Sequence, residues 1–346
     1  MDFKHYSENF RKSSTNLGYS EDNIRGCLNY AEKLFENELP VIYNLTHFSK
    51  LVGFERNYII QAAVASKYSD AYYRYHKILK KNGDIRKIKE PLPNLKTIQY
   101  WILNNILEKI EPSAFAKAYV KKRGLKQNIR FHIKQKIVYS FDIKDFFPSI
   151  KYSNIVSIFL NIGYSEELSI YLAKLCCLEE KLPQGAPTSP YLSNLVFKHI
   201  DANISKFCKE KKIRYTRYAD DLTFSGEFDH KELYNFISAI LLENDFEINK
   251  SKTKLMSREH RQIVTGIIVN DKPQLDKETR RLIRQEVYYI KKYSLESHMK
   301  KSNIKTSYYL NSLIGKIGFG IYLNPKDSKL KEYHQYLTEL YKKLNS

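Results

Sequence analysis

Little in this sequence points to a membrane or to an oxidising compartment. No apolar run approaches the roughly 18 residues needed to span a bilayer, and residues 1–20 are polar and of mixed charge, unlike a signal peptide. Neither membrane insertion nor secretion is expected. The four cysteines, Cys27, Cys176, Cys177 and Cys208, form no C-x-x-C pair and no Cys/His set at zinc spacing. They read as reduced thiols of a cytoplasmic protein, and no structural zinc is expected. Internal repeats and low-complexity linkers are also missing, so any subdomains should be packed together rather than strung out. Disorder is excluded by content, because 42% of the 346 residues are hydrophobic, enough to bury two or three linked cores.

Acid is the scarcer charge. With 58 Lys+Arg against 38 Asp+Glu the net charge is +20, which implies an acidic partner. The excess is unevenly placed: residues 1–73 carry a net −1, 74–136 carry +13, 137–249 carry −4 and 250–346 carry +12. Any one Lys-rich segment reads equally well as solvated surface. Both basic flanks, however, interleave Tyr and Phe with the positive charge, a combination suited to neutralising a phosphate backbone and stacking on bases. An acidic centre between cationic walls is the arrangement needed by a metal-dependent enzyme acting on nucleic acid.

The spacing predicts helix over 21–37 and, with breaks, over 46–79, with little to read in the first 30 residues. A polar turn at Lys80-Lys81-Asn82-Gly83-Asp84, between Ile78-Leu79 and Ile85-Arg86-Lys87-Ile88, predicts a β-hairpin with a basic tip. Helix is expected again over 95–110. The run Ile137 to Ile143 reads as a buried strand with Asp142 near its end. Ser189-Pro190 offers an N-cap followed by proline at the first helical position, and Leu192, Leu195, Val196, Ile200, Ile204 and Phe207 predict one face of a long helix. Residues 213–225 alternate on both sides of Ala219-Asp220-Asp221, a hairpin with two acids at its turn. Beyond Asp276 the pattern is helical.

An Asp-Asp pair alone is an ordinary turn. Here a single antiparallel sheet can bring it to Asp142, although Asp142 and Asp220 are 78 positions apart. Three carboxylates confined together repel and take up protons unless cations neutralise them. Two Mg²⁺ ions roughly 4 Å apart form the clamp for in-line phosphoryl transfer. Asp145, three residues after Asp142, should face the other side of the sheet if the strand continued, so it is assigned to backbone or fingers contacts.

Tyr218-Ala219-Asp220-Asp221 resembles the catalytic box of reverse transcriptases, and Phe141-Asp142-Ile143-Lys144-Asp145-Phe146-Phe147-Pro148-Ser149-Ile150 resembles their preceding metal motif. Leu182 to Pro190 resembles the family's template and nucleotide motif, and Lys80 to Pro91 its fingers hairpin. Val264-Thr265-Gly266, with Arg261 before it, resembles the V-T-G box of bacterial retron reverse transcriptases. Asn128-Ile129-Arg130-Phe131-His132 resembles the same group's N-A-x-x-H element, with Ile129 where alanine is usual. The resemblance covers about residues 35–320.

It implies an α+β right-hand polymerase: a helical N-terminal region (1–73), fingers (74–136), a palm built on an antiparallel sheet (137–274) and a helical thumb (275–346). It implies Asp142, Asp220 and Asp221 as catalytic metal ligands, and Lys80, Arg86, Phe147, Gln184 and Lys252 around the incoming nucleotide. Phe147 matches the aromatic gate against a ribose 2′-hydroxyl, and Lys252 matches a lysine that protonates pyrophosphate. Tyr218 and Gly185 would meet primer and template. RNA binding would fall to Asn128, His132, Val264, Thr265, Gly266, Arg280, Arg281 and Arg284. The implied activity is RNA-directed DNA synthesis from deoxynucleotides on the retron's own structured noncoding RNA, primed by an internal 2′-hydroxyl and yielding branched RNA–DNA. Defence against phage with an effector protein is implied by family alone. Alternatives are an intron-type or abortive-infection reverse transcriptase, an RNA-templated RNA polymerase, and a non-catalytic RNA-binding scaffold. The short stretch after the thumb leaves no expected room for a maturase-sized or endonuclease domain.

Overall fold

A computed structural model describes residues 2–68, 70–79, 83, 85–304 and 308–344. Helices α1 (Phe3–Asn16), α2 (Glu21–Glu36) and α3 (Leu45–Val52) begin at Asp2, Ser20 and Asn44, each of whose side chains accepts a backbone N–H of the first turn. Helix α4 (Arg56–Tyr68) follows. The helical spacing expected through residue 79 stops there. Tyr73–Leu79 is strand β1, paired antiparallel with β2 (Ile85–Pro91) from Tyr73 opposite Pro91 to Leu79 opposite Ile85. Most of β1 is exposed, so cross-strand partners rather than a buried stripe fix its conformation. Lys80 and Lys81, at the expected basic tip, lie outside the described residues.

Helices α5 (Pro93–Asn105) and α6 (Leu125–Arg130) lead to strand β3 (Ile137–Asp142). The strand ends at Asp142. Asp145 is therefore not on a strand: it is exposed, has φ 45°, and starts α7 (Phe146–Ser149), its carbonyl accepting the Ser149 N–H at 2.9 Å. After α8 (Tyr152–Asn161) and α9 (Glu166–Cys176), the long helix expected from Ser189 is two. Helix α10 (Ser189–Val196) and α11 (Lys198–Glu210) meet at Phe197, and the N-cap is Thr188 with Pro190 in the first turn. Asn194 and Asp201, seven residues apart and so on one face across the break, both meet one buried arginine, described below.

Strands β4 (Arg214–Tyr218) and β5 (Asp221–Gly226), helix α12 (His230–Glu243) and strand β6 (Lys254–Ser257) complete a four-stranded antiparallel sheet of order β4-β5-β3-β6. Its period of two separates two faces. Tyr139, Phe141, Leu222, Phe224 and Tyr215 face a core shared with α8–α12 and the N-terminal helices. On the strand positions between them lie Asp142, Ser140, Asp221, Thr223, Ser225, Thr216 and Tyr218. The small hairpin β7 (Ile263–Val264) and β8 (Ile267–Ile268) then joins helices α13 (Lys277–Tyr293), α14 (Leu295–Lys301), α15 (Tyr309–Leu323) and α16 (Ser328–Leu344). Val138, Ile129 and Val264 join these C-terminal helices in a second core, through Ile283, Val287, Leu313, Ile317 and Leu337.

Candidate active site and nucleic-acid surfaces

Register alone brings two acids together: Asp142 at the end of β3 is the direct cross-strand partner of Asp221 at the start of β5. Asp220 is locked beside them because its carbonyl accepts the Ile143 N–H at 2.9 Å. The turn closes through Ala219, whose φ of 59° is the left-handed region. Burial raises the Asp221 carboxyl to a pKa of about 7, with Asp220 and Asp142 adding repulsion, and raises Asp220 for the same reasons. Charge relief comes from one side: Lys252 Nζ lies 2.9 and 3.0 Å from the two Asp142 oxygens. As the side chains stand, no three His, Cys, Asp or Glu among the described residues converge as a metal-holding group. The donor chemistry still fits a hard divalent cation, since the three acids offer only carboxylate oxygens and the raised proton affinity of Asp220 and Asp221 marks a place where positive charge is favoured.

Arg86, on β2, lies near enough for its charge to hold down both Asp220 and Tyr119. Phe147 on α7 is half-buried, with its ring 6.4 Å from that of Tyr119. Tyr218, last residue of β4, is half-buried and pairs with Asp221. Gln184 and Gly185 meet β2 through their backbone. Gln184 accepts the Lys89 N–H through its carbonyl at 2.8 Å, and a Cβ on Gly185 would lie 2.7 Å from Ile88 Cγ2 and 2.8 Å from the Lys89 carbonyl. With φ 130° as well, Gly185 allows the close approach of β2. Lys252, expected at the triphosphate, here occupies Asp142.

The largest element missed from sequence is buried behind the acids. Arg217 on β4 and Asp201 on α11 are both fully buried and paired through two bonds, Nε to Oδ1 at 2.9 Å and Nη2 to Oδ2 at 2.8 Å. The Tyr215 hydroxyl donates to Asp201 at 2.6 Å, and Arg217 Nη1 donates to Asn194 Oδ1 at 3.0 Å and to the Ala219 carbonyl at 3.1 Å. An arginine on a strand reads as a solvent-facing residue. Only the broken α10–α11 pair reveals its partners.

The two retron-like elements meet: Asn128 Nδ2 donates to Thr265 Oγ1 at 2.8 Å across 137 residues. Asn128, His132 and Val264 are nevertheless completely buried, so direct RNA contact by these side chains is corrected. His132 bridges Ser225 Oγ at 2.7 Å and Thr216 Oγ1 at 2.8 Å on the sheet, and burial lowers its pKa to about 3. Val264 belongs to the second core. Thr265 (φ 49°) is half-buried, its hydroxyl engaged by Asn128, while Gly266 (φ 83°) is exposed.

Two cationic cavities flank this junction. One, about 380 Å³, lies between α6 and α15 and is lined by Lys122, Arg123, Lys126, Arg130 and Tyr322, with Lys126 Nζ 5.1 Å from the Tyr322 ring centre. The other, about 460 Å³, is lined by Lys277, Arg280, Arg281, Arg284 and Lys329. Arg281 and Arg284 are exposed, whereas Arg280 is half-buried and bonds Asp327 at 2.5 Å. No helix among the described residues is long and apolar enough to cross a membrane.

A right-hand polymerase fold with paired acids at the end of its central sheet defines the class: a reverse transcriptase, an RNA-directed DNA polymerase. Residues 78–306 match the family described as reverse transcriptase (RNA-dependent DNA polymerase). The chain is 32% identical over 257 residues to the Retron Ec86 reverse transcriptase of Escherichia coli, an alignment covering 73% of this chain and 79% of that protein. It is 31% identical to the Retron Mx65 reverse transcriptase of Myxococcus xanthus, over 62% of this chain and 55% of that one, and so spans about half of that relative. Among solved structures it is similar to telomerase from Candida albicans in complex with a fragment of telomeric RNA, at 10% identity and a TM-score of 0.45, over 77% of this chain and 63% of that one. The chain belongs to the retron reverse transcriptases.

Proposed function

We propose that this enzyme copies its own structured noncoding RNA into DNA, starting from the 2′-hydroxyl of an internal guanosine and leaving a branched RNA–DNA product. The observation that carries this reading is the Asn128–Thr265 bond, which joins the two retron-like elements to each other, while His132 of the first ties it to the sheet that holds the acids. In this reading Asp142, Asp220 and Asp221 hold two Mg²⁺ ions, which supply Lewis-acid activation of the attacking hydroxyl and charge stabilisation of the departing pyrophosphate. Lys252 leaves Asp142 and offers its proton to the leaving group. Arg86 and the basic hairpin tip, including Lys80, hold the triphosphate, and Gln184 lies beside it on the strand-anchored turn. Phe147 excludes the ribose 2′-hydroxyl and Tyr218 lines the primer end. The two cationic cavities grip phosphates, with Arg281 and Arg284 facing the RNA and Gly266 presenting bare backbone to it. The division into an N-terminal region, fingers, palm and thumb at residues 73, 136 and 274, action in the cytoplasm, and service in anti-phage defence with an effector protein belong to the same proposal.

Sequencing the nucleic acid that copurifies from cells tests the reading. One abundant RNA joined to DNA through a 2′ linkage is expected. Random cellular RNA without attached DNA would refute retron-type priming while leaving the polymerase standing.

A further inference from the structure

Tyr119 stands in none of the sequence motifs discussed above, yet three features set it apart. Its φ is 62°, a conformation that costs a bulky L-residue free energy and persists only where the surroundings enforce it. Its side chain is not hidden in compensation: the residue is 47% exposed. Its ring lies 6.4 Å from that of Phe147, tilted by 45°.

The surroundings that enforce this conformation are those that shape the acidic turn. The segment before Tyr119 is joined to β4 in parallel, Arg217 N–H donating to the Phe115 carbonyl at 2.9 Å and Lys117 N–H to the Arg217 carbonyl at 2.8 Å. Asn194 then ties both sides together, its Nδ2 donating to the Ala118 carbonyl at 2.9 Å and its Oδ1 accepting from Arg217 Nη1 at 3.0 Å. Arg217 in turn holds the Ala219 carbonyl, next to Asp220. One buried network thus fixes the residue before Tyr119 and the residue before Asp220. The Tyr119 hydroxyl is raised in pKa by burial and then by the charges of Asp220 and Tyr218, while Arg86 opposes this, so Asp220, Tyr218 and Arg86 all lie within its electrostatic reach.

We propose that Tyr119 is a specificity-determining residue of the nucleotide site: its ring forms, with Phe147, the wall against the sugar of the incoming nucleotide and keeps the Phe147 ring from swinging aside. Phe147, half-buried on a four-residue helix, has the Phe146 ring at 5.4 Å and the Tyr119 ring at 6.4 Å, and of these two neighbours Phe146 is buried while Tyr119 is exposed. The strained backbone places the Tyr119 ring beside Phe147, and exposure leaves it free to meet a substrate.

This inference rests on the assignment of Phe147 as the sugar gate, and the test separates the two. The kcat/KM ratio for a dNTP over its rNTP is measured for wild type, Tyr119→Gly, Tyr119→Phe, Phe147→Ala and the double variant Tyr119→Gly/Phe147→Ala. Glycine is the informative replacement because it removes the ring and relaxes the left-handed backbone, so the fold is retained. Tyr119→Gly should lower the ratio by about tenfold or more, mainly by improving KM for the rNTP, as loss of a shaping wall does. Tyr119→Phe should keep the wild-type ratio. The double variant should fall short of the product of the single effects, since the two rings form one wall. If Phe147→Ala changes the ratio and Tyr119→Gly does not, the inference is overturned and the gate stands. If neither changes it, the gate assignment fails first and Tyr119 loses its role with it.

Discussion

Removing both members of the buried Arg217–Asp201 pair should cost less than the sum of removing each alone. The pair is fully desolvated, joined by two parallel bonds of 2.9 and 2.8 Å, and Arg217 also packs 4.6 Å from the Phe197 ring centre. Breaking a buried pair from one side leaves an uncompensated charge and costs about 3–5 kcal/mol. Against a typical stability of about 5–15 kcal/mol, that loss is severe. Asp201→Asn keeps shape but strands the guanidinium, and Arg217→Met strands the carboxylate together with Asn194 Oδ1 and the Ala219 carbonyl. Urea denaturation followed by far-UV circular dichroism should therefore show each single variant weakened by about 3–5 kcal/mol. The double variant should be better than the sum by about 2 kcal/mol or more, which is the coupling. Primer extension below the unfolding transition should also fall for Arg217→Met, because the Ala219 carbonyl precedes Asp220. Strictly additive losses, or an Asp201→Asn cost under about 1 kcal/mol, would refute the account of a buried ion pair that shapes the turn.

Asp220→Asn or Asp221→Asn should abolish primer extension in Mg²⁺ while leaving RNA affinity, read by filter binding, nearly intact; a variant extending at wild-type rate would rule out this metal site. Reversing Arg281 and Arg284 to Glu should reduce branched product from the RNA encoded beside the gene far more than extension of a generic annealed primer, and equal losses would mark them as a merely solvated face. His132 has a folded pKa of about 3, against 6.5 for the free side chain, so the unfolded chain binds its proton first on acidification. Its contribution is complete above pH 6.5 and declines as pH falls toward 3, by about 2 kcal/mol at pH 5. Denaturation midpoints at pH 7 and 5 should show a smaller decline for His132→Gln, and an identical decline would mean that His132 does not stay neutral.

Local chemistry made the acids legible in the sequence. Alternating residues on both sides of Ala219-Asp220-Asp221 dictate a hairpin, the apolar run ending at Asp142 dictates a strand, and one antiparallel pairing suffices to join them. The basic flanks and the helix over 277–293 were equally readable, because charge and amphipathic spacing are properties of neighbouring residues. The hairpin arms on either side of residues 80–84 were readable too, but not how far β1 extends: residues 73–77 fell in the segment read as helical, since a mostly exposed strand carries no buried stripe and takes its conformation from β2. Nor was the fate of Asn128, His132 and Gly185, whose polar or small character reads as contact with a ligand but serves contact with Thr265, the sheet and β2. Arg217, Asp201, Asn194 and Tyr119 became meaningful only when the packing of α10 and α11 on β4 and the parallel joint at β4 brought segments up to about a hundred residues apart into one network. Periodicity encodes which face of an element is apolar. It does not encode which distant group satisfies a buried charge, and that was decided by tertiary structure.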